Sequence, residues 1–528
     1  VTATGRRAGD ATEQAARGDV ALLGAAIVIG AVLRLVALGL HPLWCDELAT
    51  LQRLELPLVV HLRAMQGNHP LYEILLRAWA GPAASDGWIR FPSAVFGIAA
   101  VALTWCLLRP AGGRVALLAS WLVALSPLHV MYSRIARPYA LACVLALSSN
   151  LFLLAAIRRR RFWQLFGYAI STALLIYSNL MAVALWASQA VFLAWFYRRR
   201  PRRLLPWLPA LGAVALMILP WMSFSLKGAV AWSQETHYTA QQLGRWFKAG
   251  HLALSLTIGE TVHPLNVAVV APAAVGFGIA FVSGCLAAAR RRRLLPMLLL
   301  VQVGFTCVTA MYFAAAAAKH LTILLPAWFG LAAVGMSGLR GQVRFLCTGL
   351  VSVAMVVSLA NYFSGREFTD ADMVTPWREM ANAVTRQMRP GDTVMVGYRP
   401  DAGARDMFDR YFRPATPTRR LDFARWDADL TSAAAGAGRI WLLLHDGDPH
   451  AEIEQWLRRH GWSFRVFAFQ DEEHTLEGLR EWMSARREGM PLLSWLGALP
   501  RYASRHHSPL YRLYLVTPRR ERAGSAAG

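Results

Sequence analysis

Between residues 20 and 363 of this 528-residue chain there are seven carboxylates: Asp46, Glu47, Glu55, Glu73, Asp86, Glu235 and Glu260. Only Asp46 and Glu47 are adjacent, in His41-Pro-Leu-Trp-Cys-Asp-Glu-Leu48. Neighbouring carboxylates repel, so one stays ionised while the other shares a proton or binds a cation, which suits a general base. The plain alternative is an interfacial polar pair at a helix end. A second group lies in Ser126-Pro-Leu-His-Val-Met-Tyr-Ser-Arg-Ile-Ala-Arg-Pro-Tyr-Ala140. There Arg134 and Arg137, three apart, share one face of a helical turn and could grip a phosphate bidentately. Their alternative is snorkelling to lipid headgroups. Lys319-His320, before an apolar run, and His69-Pro70-Leu71-Tyr72 complete the set. A lone histidine is more often structural, and Arg34, inside the first apolar run, needs a partner within the bundle.

The elements that must position these groups are membrane helices. The chain is 55% hydrophobic and only 16% charged, well below the roughly 25% of a soluble domain. Runs long enough to cross a bilayer fall at 20–40, 91–108, 115–131, 138–157, 162–177, 180–197, 204–226, 264–289, 294–318, 321–338 and 345–363. That predicts about eleven spans, the fifth one short. No small-residue cleavage site follows the first run, so it is expected to be an anchor helix. The net charge of +23 is concentrated before residue 366, where 31 basic residues face 10 acidic ones. That distribution excludes a nucleic-acid patch and reports topology instead. Alternate loops carry the arginines (109/114, 158–161, 198–203, 290–293, 340/344) and no acid, which makes their side cytoplasmic. The N-terminal tail, 1–19, is then cytoplasmic, and the loops 41–90 and 227–263 and everything after Phe363 lie outside.

Two surface helices are expected in the 41–90 loop. One has the apolar face Leu58, Leu62, Met65; the other has Leu71, Ile74, Leu75, Ala78, with Glu73 and Arg77 paired opposite. Residues 364–528 alternate helical patterns (377–388, 450–459) with extended ones (392–399, 439–445, 464–470, 511–517), which predicts a small α/β domain. The six cysteines show no metal or disulfide spacing and read as small apolar helix residues. Three Asp-X-Asp triplets in the tail (Asp370/Asp372, Asp427/Asp429, Asp446/Asp448) match a nucleotide-sugar motif, but the pattern is cheap and Asp446-Gly447 reads better as a turn.

In order along the chain, Leu43-Trp-Cys-Asp-Glu47, Gly67-Asn-His-Pro-Leu-Tyr-Glu-Ile-Leu-Leu76, Arg90-Phe-Pro-Ser93, Tyr132-Ser-Arg-Ile-Ala-Arg-Pro-Tyr-Ala-Leu141 and Tyr177-Ser-Asn179 resemble the polyprenyl-phosphate-sugar-dependent GT-C glycosyltransferases. The nearest groups are the protein O-mannosyltransferase and aminoarabinose transferase families (glycosyltransferase family 39-like). The resemblance covers about 20–363. It implies a GT-C-like catalytic membrane domain over 20–363, a lipid-phosphate-linked sugar donor, and an acceptor (envelope glycan, lipid or protein) reached from outside a bacterial plasma membrane. By resemblance Asp46 matches the catalytic base and Glu47 the acid beside it. His69 falls near the donor phosphate, and Lys319 stands where relatives often have arginine. Tyr72, Tyr132, Tyr139 and His320 accompany Arg134 and Arg137 as substrate-binding candidates. Relatives often carry an acid where this chain has Ile135, and Lys319-His320 replaces the usual Arg-Tyr. No cofactor is expected, and a metal ion is left open.

The chemistry agrees with the setting. A transferase facing away from the cytoplasm needs a donor already activated in the lipid. Displacement at the anomeric carbon needs a base for the acceptor and cations for the departing phosphate. A single in-line displacement inverts the sugar's configuration. The main alternative is a transporter or flippase of a lipid-linked or anionic substrate, which predicts polar residues and broken helices at mid-membrane.

Overall fold

The computed structural model describes residues 2–64, 70–81, 84–159, 161–235, 245–264, 266–313, 316–366, 375–398, 404–414, 417–436, 438–445, 448–473 and 507–518, with short stretches between 481 and 498. The chain divides into two compact units, Val1–Leu40 with Thr50–Thr369, and His41–Ala49 with Asp370–Gly528.

Helices make up the first unit. A long α1 (Thr2–Leu35) is followed by three short helices, α2 (Cys45–Glu55, of which Thr50–Glu55 belong to this unit), α3 (Leu58–Ala64) and α4 (Pro70–Trp79). Then come α5 (Asp86–Leu108), α6 (Gly113–Leu125), α7 (Pro127–Ser133), α8 (Tyr139–Arg159), α9 (Phe162–Ser178), α10 (Ala182–Tyr197), α11 (Leu208–Glu235) and α12 (Arg245–Ile258). The last four are α13 (Val267–Arg291), α14 (Leu294–Tyr312), α15 (Leu325–Gly338) and α16 (Gly341–Ser364). Their surfaces reverse the pattern of a soluble protein. On α13 the large residues Val275, Ile279, Val282 and Leu286, spaced four, three and four apart, are exposed, while Ala273, Gly276, Ala280 and Gly284 are packed inside. An apolar stripe of that size facing outward is stable only against lipid.

Among the described residues, eight helices are long and apolar enough to cross a membrane, or nine if the bent pair α6–α7 counts as one span. Each of the eleven apolar runs contains a helix among its described residues, but α9 and α10 have only 17 and 16 residues. At 1.5 Å per residue each reaches about 25 Å, short of a hydrocarbon core roughly 30 Å thick.

The α6–α7 pair bends by 57° at Ser126-Pro127. Proline cannot donate its missing N–H, so carbonyls at the end of α6 lose their helical partners. Arg34 of α1, fully buried, replaces them. Its Nη1 donates to Ala124 O (3.1 Å) and Gly30 O (2.8 Å), and its Nη2 donates to Val123 O (3.1 Å). Nη2 also lies 2.8 Å from His129 Nδ1, which must accept, so His129 carries its proton on Nε2. Hydrogen bonds likewise tie the short helices to longer neighbours. Asn150 and Gln302 exchange amide bonds of 3.2 and 2.6 Å between α8 and α14, and Gln189 of α10 donates to Asn150 Oδ1 at 3.0 Å. In lipid such bonds supply cohesion that burial alone does not.

The second unit holds a five-stranded sheet of order β2-β1-β3-β5-β4, built from β1 (Thr393–Tyr398), β2 (Arg419–Asp422), β3 (Ile440–His445), β4 (Trp462–Glu473) and β5 (His507–Pro518). β1 pairs in parallel with both β2 and β3; β5 runs antiparallel to β3 and β4. The parallel connections carry α18 (Ala404–Tyr411) and α19 (Trp426–Gly436), as parallel crossovers require. Helices α17 (Trp377–Gln387) and α20 (His450–Arg459) precede β1 and follow β3. The central run Ile440-Trp-Leu-Leu-Leu444 is wholly buried, the signature of a strand covered on both faces. Asp392 anchors its start. Burial would raise this carboxyl, but Arg439 (2.6 and 3.0 Å), the Arg389 N–H and Trp441 Nε1 all donate to it and hold it below the usual carboxylate range. The strands expected at β1, β3, β4 and β5 are present; β2, α18 and α19 were not anticipated.

Gly284 of α13 and Gly335 of α15 mark a close helix crossing. A Cβ at Gly284 would collide with Leu331 O, and one at Gly335 with Ala280 O. Only glycine lets these two backbones touch. Gly335→Val is therefore expected to lower the unfolding temperature in detergent by several degrees or to abolish the monodisperse peak, whereas a wild-type melting curve would refute the tight crossing.

Candidate active site

Asp46 and Glu47 lie in the first turn of α2, a favourable place for carboxylates because the amides there are unpaired. Their environments differ. Glu47 is fully buried and its Oε2 accepts the Trp44 N–H at 2.9 Å, a side chain reaching back to the residue before the helix as in a capping box. Asp46 is half-exposed. The preceding segment is fastened within the same unit by the Leu43 N–H, which donates to Tyr411 Oη at 2.7 Å.

In the other unit Arg137 is buried and its Nη1 donates to Thr50 Oγ1 at 2.9 Å. Its carbonyl accepts from Ser93 Oγ at 3.2 Å. That uses the serine's only proton, so at 2.7 Å Tyr72 Oη donates to Ser93 Oγ. Thus Tyr72, Ser93 and Arg137, from three of the sequence motifs, form one chain. A second chain starts from the same Thr50, whose Oγ1 also accepts from Arg53 Nη2 at 3.2 Å. Arg53 grips Glu73 with both ends of its fork (2.6 and 3.1 Å), and His61 Nε2 lies 2.9 Å from Glu73 Oε2. Sequence reasoning missed this cluster. It paired Glu73 with Arg77, but Arg77 instead donates to Leu56 O at 2.7 Å. The reason is that α3 and α4 are turned inside out: Leu58, Val59, Val60, Ile74 and Leu75 face outward, while His61, Tyr72 and Glu73 are buried.

Arg134 has a different task from the one expected. Its Nη1 donates to the carbonyls of Leu33, Arg34 and Val36 (2.8–3.2 Å), its Nη2 donates to Ala37 O (2.6 Å), and its Nε donates to Tyr362 Oη (3.3 Å). It is the C-terminal cap of α1, filling the orphan carbonyls there, and the Phe363 ring lies 4.9 Å from its guanidinium carbon. The shared face with Arg137 does not form, because the helix ends at Ser133.

An aromatic file gathers three more of the expected residues. Tyr132 and Tyr139 meet edge to face at 4.9 Å, and Tyr139 meets His320 at 6.2 Å. His320 Nδ1 accepts the Ala317 N–H at 3.1 Å, and Asn179 donates to its carbonyl at 2.8 Å. Tyr132 Oη donates to Glu260 Oε2 at 2.8 Å. Gly259, at φ 87°, sets up that acid; a Cβ there would stand 2.7 Å from Pro127 Cβ. Lys319 is half-buried beside His320, and its carbonyl accepts from Thr322 Oγ1. Lys248, unremarked in the sequence, donates to Phe313 O at 2.8 Å, and burial pulls its ammonium down to about 8. His69 lies outside the described residues. Among the described residues no group of three or more His, Cys, Asp and Glu side chains is placed to hold a metal ion. Of the Asp-X-Asp triplets, Asp370, Asp372 and Asp446 are outside the described residues. Asp429 and Asp448 accept the backbone N–H groups of Asp422 and His445, as turn and strand-end residues do.

The fold has counterparts among solved structures. Residues 83–224 match the model of the dolichyl-phosphate-mannose-protein mannosyltransferase family. ArnT from Cupriavidus metallidurans superposes with a TM-score of 0.51 at 12% identity, covering 96% of this chain and 99% of that one. The fold is that of the GT-C glycosyltransferases. The Archaeoglobus fulgidus oligosaccharyltransferase shares the GT-C fold at a TM-score of 0.51 and 12% identity, over 94% of this chain and 88% of its own. A structure of the same ArnT bound to undecaprenyl phosphate gives 0.50 at 12% identity, over 94% and 97%. No curated protein sequence matches the chain.

Removing one partner from a buried ion pair leaves the other uncompensated, at a cost of about 3–5 kcal/mol, whereas replacing both by apolar residues is often neutral. Glu73→Ala should therefore unfold at markedly lower temperature, and Arg53→Met/Glu73→Leu should recover most of the loss in a thermal melt; equal melts for all three would show that the cluster carries no stability.

Proposed function

We propose that the chain is an integral membrane glycosyltransferase that moves a sugar from a polyprenyl-phosphate donor to an envelope glycan, lipid or protein acceptor on the outer side of a plasma membrane. The observation that carries the reading is the division of labour at the head of α2 in a GT-C fold. Glu47 is buried with its Oε2 on the Trp44 N–H of the helix cap, while Asp46 beside it is half-exposed. The ligands named for two GT-C-fold structures, undecaprenyl phosphate for ArnT and a dolichol-phosphate for the archaeal enzyme, support a lipid phosphate as the donor's carrier.

Asp46 takes the proton from the acceptor hydroxyl or amine as that atom bonds to the anomeric carbon. The bond from that carbon to the phosphate oxygen breaks, and its electron pair leaves with the polyprenyl phosphate. Positive charge placed at that oxygen lowers the barrier most, because the charge develops there. Arg137, Lys319, His320 and His69 are assigned to this task, and Arg134 is omitted because its donors are occupied by α1. Tyr72, Tyr132 and Tyr139 supply aromatic faces and hydroxyls for the sugar. A single displacement inverts the anomeric centre.

The arginine-rich loops support a cytoplasmic N-terminus and an outer α/β domain. Discounting the two short helices α9 and α10 together changes eleven spans to nine, both odd, so the tail keeps its side.

In proteoliposomes supplied with a panel of polyprenyl-phosphate sugars and an envelope extract, one donor should release free polyprenyl phosphate. NMR of the product should show inverted configuration, and Arg137→Gln should raise the donor KM about tenfold or more. No release from any donor would refute the transfer, and a retained configuration would refute the single displacement.

A further inference from the structure

A cavity of about 520 Å³ opens at the arginine-rich end of the bundle, among the ends of α8, α13 and α15, the start of α14, and α6. Arg158, Arg291 and Arg293, all exposed, are among its lining residues, and no Asp or Glu is. Among the described residues none of the three has an ion-pair partner. The other walls are mostly apolar, including Val115, Leu294 and Leu339.

Two of these cations have a local reason to be there. Arg158 and Arg291 occupy the last turns of α8 and α13, where the helix dipole favours positive charge. Arg293 has the opposite placement. It is the residue before the first turn of α14, where the dipole disfavours a cation, and its side chain makes no capping bond. Leu294 and Leu295, the first two residues of that turn, line the cavity together with the three arginines. A cation, uncapped helix amides and two further guanidiniums at one opening is an arrangement that an anion stabilises. The apolar walls beyond it suit a ligand whose anionic group continues into a chain.

We propose that this cavity is a binding site for the phosphodiester headgroup of an anionic phospholipid, with Arg293 and the α14 amides on the phosphate and Arg158 and Arg291 completing the charge. The site is separate from the proposed transfer chemistry and does not depend on it.

The test uses the full-length protein purified in neutral detergent, with phosphatidylglycerol or phosphatidylcholine added, read by native mass spectrometry and thermal melting. Phosphatidylglycerol should remain bound through delipidation and raise the melting temperature, and phosphatidylcholine should do neither. Retention should fall at least tenfold in Arg158→Gln/Arg291→Gln/Arg293→Gln. Should that variant fail to fold, Arg293→Gln alone should weaken retention at least threefold. Equal retention of the two lipids, or undiminished retention in the variant, would overturn the proposal. Stabilisation by inorganic phosphate with no lipid retained would also overturn it, by making the source a free anion. Sugar transfer is not read, so a negative result leaves the proposed function standing.

Discussion

Backbone carbonyls released inside a membrane must find donors within the protein, since no water is there to supply them. Two breaks in this bundle create that demand: the bend between α6 and α7, and the end of α1. One arginine answers each. Arg34 takes Val123 and Ala124 at the bend, and Arg134 takes Leu33, Arg34, Val36 and Ala37 at the helix end. Because Arg34 comes from α1 and Arg134 follows α7, the two side chains lock the same elements together in both directions. This fixes the α7–α8 segment, and with it Tyr132, Arg137 and Tyr139. Buried charge and a broken helix are what a transporter would also show, but here both guanidiniums spend most of their hydrogen bonds on backbone carbonyls.

The short outer helices depend on a different balance. Their apolar residues face out, and their polar residues are collected inside around Glu73 and Thr50. Thr50 receives both Arg53 and Arg137, so one hydroxyl joins the α2–α4 cluster to the α7–α8 segment.

Much of this was legible from residue types. Apolar runs located every membrane helix, because lipid demands about 20 such residues whatever the packing. Asp46-Glu47, the tyrosines and Arg137 stood out because charge and hydroxyls are scarce there. What could not be read was how polar groups are shared out. The sequence treated Arg134 and Arg137 as equivalents, yet only knowledge that α7 ends at Ser133 separates a helix cap from a candidate site residue. Glu73 looked like a partner for Arg77 because helix spacing favours i,i+4 pairs, and a tertiary contact with Arg53 overrode it. Strand β2 escaped because Arg419-Arg-Leu-Asp422 has one buried residue and lies at the sheet edge.

On the proposed reading Asp46 does the chemistry while Glu47 caps the helix. Measuring sugar transfer by Asp46→Asn and Glu47→Gln side by side, with melting curves as a control, tests it most directly. Loss of a positioned general base costs about 10²–10⁴-fold. A glutamine, by contrast, still accepts the Trp44 N–H through its own carbonyl oxygen. The prediction is therefore near-complete loss for Asp46→Asn at an unchanged melting temperature, and transfer within about threefold of wild type for Glu47→Gln. Full activity in Asp46→Asn, or equal loss in both variants, would contradict it.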